Sequence, residues 1–162
     1  HFFNDAKPRY RLTPAGPDHA QIAASSGIAD YLETVAEIAG NSVPGDNAFR
    51  RAHAAMRAQE VALSAPLLDY LRQKNTVRII GPADPELRAP TIALLLDEPG
   101  AAVAARLANH GVMAGGGHFY AWRLMQALGI DPNHGVLRLS FTHYTTPAEI
   151  NQLITALDAE LK

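Results

Sequence analysis

The chain has 162 residues, a formal charge of −2 and a hydrophobic fraction of 48%, the balance of one folded domain with a real core and not of a disordered segment. The near-neutral charge leaves no electrostatic footprint for nucleic acid, and no apolar run approaches the roughly 20 residues that span a bilayer. The chain contains no cysteine, which excludes disulfides, thiolate metal sites and a cysteine nucleophile within it. The first residue is His1 and not Met, and the opening stretch lacks the basic and apolar regions of a signal peptide. The chain is therefore read as processed, or as a piece of something longer.

Residues 1–15, with Pro8 and Pro14, read as an extended lead-in. A helix is expected over 17–39, because Ile28, Tyr31, Leu32, Val35 and Ile38 recur at helical spacing and Gly40 suits a C-terminal stop. Asp18 and His19 stand at its start, where capping is the default role. Residues 41–47 read as a loop. A longer helix follows from Ala48, with Phe49, Ala52, Met56, Leu63, Leu67 and Leu71 as its apolar stripe and Pro66 as a bend.

The pattern changes after Asn75. Val77–Ile80 and Thr91–Leu96 are short apolar runs bounded by Gly and Pro and read as strands. A helix over 101–110, a strand over 112–114, a flexible Gly115–Gly117 turn and a second helix over 119–128 follow. In the strand over 135–142, Leu137, Leu139 and Phe141 face one way and Val136, Arg138 and Ser140 the other. Thr146-Pro147-Ala148-Glu149 is a capping box that opens a last helix. Residues 76–162 thus read as a small α+β domain, a short mainly antiparallel sheet with helices on one face, and residues 1–75 as helices without a sheet.

Four of the seven histidines, His110, His118, His134 and His143, lie close in sequence but without metal-ligand spacing, so no metal site is expected. The glycine run before His118 is either a phosphate cradle or a plain strand-to-helix turn. Arg138 lies mid-strand opposite the apolar side. Its fork suits a carboxylate, and an edge-strand arginine in water is an equal alternative. Tyr120 could donate a hydrogen bond to a ligand or be half-buried packing.

Three segments together resemble one family: Arg9-Tyr10 with Gly16-Pro17-Asp18-His19; Gly117-His118-Phe119-Tyr120-Ala121; and Val136 to Ser140 with His143-Tyr144-Thr145-Thr146-Pro147-Ala148-Glu149-Ile150. They are similar to the C-terminal part of the class V aminotransferases, fold-type I pyridoxal-phosphate enzymes that include the cysteine desulfurases. The family pattern has Tyr-Asn-Thr near the last segment, and Thr145 replaces the Asn here.

The resemblance implies a small C-terminal domain over 76–162, preceded over 1–75 by the last helices of the large domain and the connecting helix. It implies that Arg138 binds the substrate carboxylate, with Tyr120 and His118 beside it, and that Gly16 and Pro17 lie near the cofactor phosphate. Tyr120 takes the place of the desulfurase cysteine, and none of Lys7, Lys74 and Lys162 matches the cofactor lysine. No catalytic residue is therefore assigned. Pyridoxal phosphate, an amino-acid substrate, a homo-oligomer and a cytoplasmic setting are implied for the intact parent, and no bound cofactor for this chain. A stand-alone, non-catalytic α+β module that binds a small carboxylate is the alternative. A lysine encoded shortly before His1 favours the enzyme; an initiator Met there favours the module.

Overall fold

A computed structural model of the chain describes residues 18–40 and 47–161. The chain divides into two compact units, His1–Ala55 and Met56–Lys162. The expected lead-in over 1–15, the expected loop over 41–47 except Asn47, and the pair Gly16 and Pro17 lie outside the described residues.

In the first unit, α1 (His19–Ala24) and α2 (Ser26–Ile38) replace the single expected helix. Asp18 caps α1 as expected: its Oδ1 accepts the backbone N–H groups of Ala20 and Gln21, each at 3.1 Å. The break falls at Ser25, whose backbone remains helical. There the hydroxyls of Ser25 and Ser26 donate to the carbonyls of Ile22 and Ala23 at 2.7 and 3.1 Å, the local competition that makes serine a poor helix-interior residue. Gly40 follows α2 with φ of +70°, so the helix stops there as expected. Ile22, Ile28, Tyr31 and Ile38 keep large exposed areas.

Helix α3 (Ala48–Arg72) runs on through Pro66, and its first turns belong to the first unit. In the second unit, β1 (Val77–Ile80), β2 (Thr91–Leu96), β3 (Gly115–Gly117) and β4 (Val136–Ser140) form one antiparallel sheet in the order β1-β2-β4-β3. Because β4 lies antiparallel to both β2 and β3, those two run parallel and need a crossover. Helix α4 (Gly100–Ala108) supplies it. Helix α5 (Trp122–Ala127) precedes β4 and α6 (Pro147–Glu160) ends the chain.

The main core lies on one face of the sheet. Leu67, Leu68 and Leu71 of α3, Ile92 and Leu94 of β2, Leu137 of β4, Val103 and Leu107 of α4 and Leu157 of α6 are all fully buried there. Each leucine so placed removes roughly 1.5–3 kcal/mol worth of apolar surface from water. The opposite face carries a smaller cluster: Met125 of α5, Ile130 and Val136, with Leu95, Ala93 and Phe119 against it. The large helices thus cover one face and the short α5 covers part of the other.

The expected strand at 112–114 and the flexible glycine turn need correction. The glycines themselves are the strand, with Gly115, Gly116 and Gly117 facing Arg138, Leu137 and Val136 of β4. The reason is a close approach invisible to hydropathy. A Cβ on Gly116 would lie 2.1 Å from the Ala101 nitrogen, and one on Gly100 would lie 2.3 Å from the Leu137 nitrogen. The first turn of α4 is laid directly on the backbone of β3 and β4. The second helix also starts later than expected, at Trp122, because Phe119 and Tyr120 have φ of 48° and 61° and leave the helical region.

The capping box of α6 forms as the sequence predicts: Thr146 N–H donates to Glu149 at 2.7 Å, and Glu149 N–H donates to the Thr146 hydroxyl at 3.3 Å. Charged pairs tie the helices at the periphery. Arg106 meets Glu98 and Glu160, each at 2.6 Å, and Glu160 also meets His110 at 2.8 Å. Lys74 meets Asp158 at 2.6 Å. The connection between β1 and β2 is held differently: Arg57 donates to the Pro85 carbonyl, Arg72 to Ala83, and Arg88 to Pro82 and Thr91.

Two outcomes follow for stability. Gly116→Ala forces a backbone clash that no side-chain rotation relieves, so thermal unfolding should show a loss above the usual ~1–3 kcal/mol of overpacking. Gly27→Ala in α2 meets nothing within 4 Å and should stabilise its helix by about 0.5–1 kcal/mol. Acid bears on stability as well. His110 and Arg106 hold the Glu160 carboxyl below its ordinary value of 4.5, Arg106 does the same for Glu98, and Lys74 holds Asp158 below 3.8. Folded carboxylates with lowered values bind fewer protons than the unfolded chain, so their contribution is full above about pH 4.5 and drains away as pH falls through the folded values. Denaturant titrations at pH 6 and pH 3 should show this loss, smaller in Arg106→Gln.

Candidate functional site

Arg138 is the central residue of β4, and strand alternation sends its side chain to the face opposite the main core. Its neighbours in register are Ala93 on one side and Gly115 on the other, both too small to cover it. The guanidinium is exposed, and its carbon lies over the Phe119 ring at 4.1 Å from the centroid. No acidic side chain pairs with it among the described residues. Among the described residues no hydrogen bond takes up its N–H donors either, which leaves them open to a ligand there.

The loop from β3 to α5 brings the other expected residues to the same end of the sheet. His118 follows the last glycine, and its Nδ1 accepts the Tyr120 backbone N–H at 3.2 Å. In the neutral ring this places the proton on Nε2. The His118 carbonyl accepts from Ala121 at 2.8 Å and closes the turn. The His118 ring stands edge-on to Tyr120 and Trp122, with centroids 6.4 and 5.3 Å apart. Tyr120 does not begin the helix. It sits at the crest of the turn, fully exposed. Two consecutive side-chain-bearing residues in the left-handed region cost roughly 1–2 kcal/mol each, and such strain concentrates at functional sites.

The sequence reading passed over Phe119 and Trp122, although both belong to the aromatic run that follows the glycines. Phe119 is the residue that contacts Arg138 directly. The histidines take separate roles: His110 pairs with Glu160, and His134 Nε2 donates to the Leu96 carbonyl at 2.9 Å. A cavity of about 220 Å³ lined by Gly111, Met113, Ser140, Thr145 and Gln152 opens on the helical side and does not include Arg138.

These features meet known proteins at the level of the family. The chain belongs to the class-V aminotransferases, whose pattern residues 49–153 match. An aminotransferase-like protein of Gibberella zeae is 29% identical over 99% of this chain and 38% of its own length. A nonribosomal peptide synthetase-like enzyme of Aspergillus fumigatus is 34% identical over 65% of this chain and 7% of its own. Among solved structures, the apo cysteine desulfurase of Thermococcus onnurineus shares the fold at a TM-score of 0.60, with 24% identity over 70% of this chain and 29% of that one. The cysteine desulfurase CsdA of Escherichia coli does so at 0.66, with 19% identity over 94% and 33%. The chain thus spans well under half the length of these relatives.

Class-V relatives are pyridoxal-phosphate proteins, and the one lysine among the described residues is engaged away from Arg138. Lys74, the lysine among them, is held by Asp158 at 2.6 Å and lies 5.0 Å from the Tyr70 ring centroid, between α3 and α6. Arg138 projects from the sheet face opposite the core those helices share. No helix among the described residues is long and apolar enough to cross a membrane.

The turn itself is testable. Tyr120→Asn places a residue that tolerates left-handed backbone at an exposed position and should raise the unfolding free energy by about 0.5–1 kcal/mol. Chemical denaturation giving no gain would mean that the turn stores no such strain.

Proposed function

We propose that this chain is the carboxylate-binding C-terminal part of a pyridoxal-phosphate-dependent class-V enzyme acting on an amino acid. Residues 1–75 are read as the last helices of the large domain with the connecting helix, and 76–162 as the small domain. The observation that carries the reading is Arg138: an exposed guanidinium on an open sheet face, set over an aromatic ring and left without an acidic partner among the described residues. A bidentate fork in that state suits a carboxylate. His118 and Tyr120 are proposed to border the substrate, and Gly16 and Pro17 the cofactor phosphate.

The cofactor lysine is proposed to come from sequence beyond this chain, since Lys74 is engaged with Asp158. Tyr120 at the crest of the turn bears a phenol, which cannot carry a persulfide, so desulfurase chemistry is not proposed. What these residues do is bind and orient: Arg138 anchors the carboxylate, while the aromatic turn borders the bound molecule. The exposed Ile22, Ile28 and Ile38 support a homo-oligomer in which that surface is covered. A cytoplasmic setting is part of the same reading. The runner-up, a non-catalytic carboxylate-binding module, rests on the same Arg138 and on the missing lysine.

The test is direct. With arginine side chains ¹⁵N-labelled, acetate and L-alanine should shift the Arg138 Nε–H resonance, and methylamine should not. Arg138→Gln removes that resonance, so it is read on the backbone amides of residues 115–121, whose shifts with both carboxylates it should abolish. In a longer enzyme that encloses the site, Arg138→Ala should cost roughly 2–5 kcal/mol of substrate binding, the range for a desolvated charged pair. Equal responses to acetate and methylamine would remove the carboxylate role.

A further inference from the structure

Phe119 is held in a place that ordinary backbone would not give it. Its φ of 48° and the following φ of 61° at Tyr120 turn the chain back over the sheet. The bond from the Tyr120 N–H to His118 Nδ1 and that from Ala121 to the His118 carbonyl hold the turn in this form. Beneath the ring lies Gly115. A Cβ there would sit 3.0 Å from one ring carbon and 3.1 Å from the next, so the ring occupies the space that a side chain would take. The same point lies 3.8 Å from an Arg138 terminal nitrogen. Ring and guanidinium therefore meet above a strand position kept bare.

We propose that Phe119 is a positioning residue for Arg138, a platform that fixes the guanidinium without consuming its hydrogen-bond donors. The inference rests on reading Arg138 as the carboxylate anchor. A free arginine on an exposed strand carries a large rotamer entropy, most of which a ligand would have to freeze. Fixing it beforehand removes part of that cost. An aspartate or glutamate could do the fixing, but it would occupy the fork and neutralise the charge that a substrate needs. An aromatic face attracts the cation without bringing an oxygen acceptor that would take up the fork or a negative charge that would neutralise it. With its central carbon held over the ring, 4.1 Å from the centroid, the guanidinium is fixed in place while its fork remains open to a two-point grip on a carboxylate.

The experiment uses the full chain, ¹⁵N-arginine labelling and acetate as the probe. Phe119→Leu should move the Arg138 Nε–H resonance to its unstructured position and weaken acetate binding about 3- to 10-fold, the span of a lost cation–π contact. Phe119→Tyr keeps the ring and should hold both within about twofold. Gly115→Ala sets a methyl 3.0–3.1 Å from two ring carbons, so the ring must shift by a small amount, and it should move the Arg138 Nε–H resonance in the same direction with a smaller loss of affinity; it decides the matter if Phe119→Leu fails to fold by its backbone amide spectrum. If Arg138→Gln abolishes acetate binding while both Phe119→Leu and Gly115→Ala leave affinity and resonance unchanged, the platform role is overturned alone. If Arg138→Gln leaves acetate binding intact, the carboxylate reading falls and takes this inference with it.

Discussion

Where α4 meets the sheet, main chain lies on main chain. Gly100 at the helix start has the Val136–Leu137 peptide where its side chain would be, and Gly116 on β3 has Ala101 in the same relation. This contact sets the height of α4 above the sheet, and with it the depth at which Val103 and Leu107 enter the core. It also fixes β3 as a strand, although three consecutive glycines carry the least intrinsic preference for one. The order of β3 beside β4, and so the position of the loop that leaves β3, depends on it.

The two faces of β3 then serve different ends. Gly116 looks toward the helices, while Gly115 shares a face with Arg138 and leaves room for Phe119. Gly117 ends the strand at φ of +137°, a conformation that side-chain-bearing residues rarely adopt. One short run therefore joins the packing of the core to the geometry of the candidate site. The aromatic loop lies where it does because the strand before it is bare on both sides.

Much of this order was legible in the sequence. The apolar runs at Val77–Ile80 and Thr91–Leu96, the alternation around Arg138 and the capping box at Thr146 all report local physics, and each element formed within a residue or two of its expected place. The glycine run does not read as a strand because its reason is tertiary: a helix fifteen residues earlier lies so close that a Cβ on Gly116 would fall 2.1 Å from the Ala101 nitrogen, and that leaves no mark in periodicity. Phe119 was passed over for a related reason. An aromatic residue at the expected start of a helix reads as packing, and only the left-handed turn aims it at Arg138. The placement of Arg138 on the face opposite the leucines was readable, since it follows from the two-residue period of a strand. Its lack of an acidic partner among the described residues was not, because pairing depends on neighbours brought in from elsewhere in the chain.

The bare strand also partitions how this protein can diversify. Gly100 and Gly116 are closed to any larger residue by neighbouring backbone, so change there disturbs packing before it can alter chemistry. Past Gly117 the constraint changes in kind. Tyr120 touches little and stands wholly in solvent, so its side chain is free to be exchanged for one of different reactivity while the frame beneath stays as it is. The architecture separates an inheritance that must be kept from a single crest residue at which new specificity is cheapest to acquire.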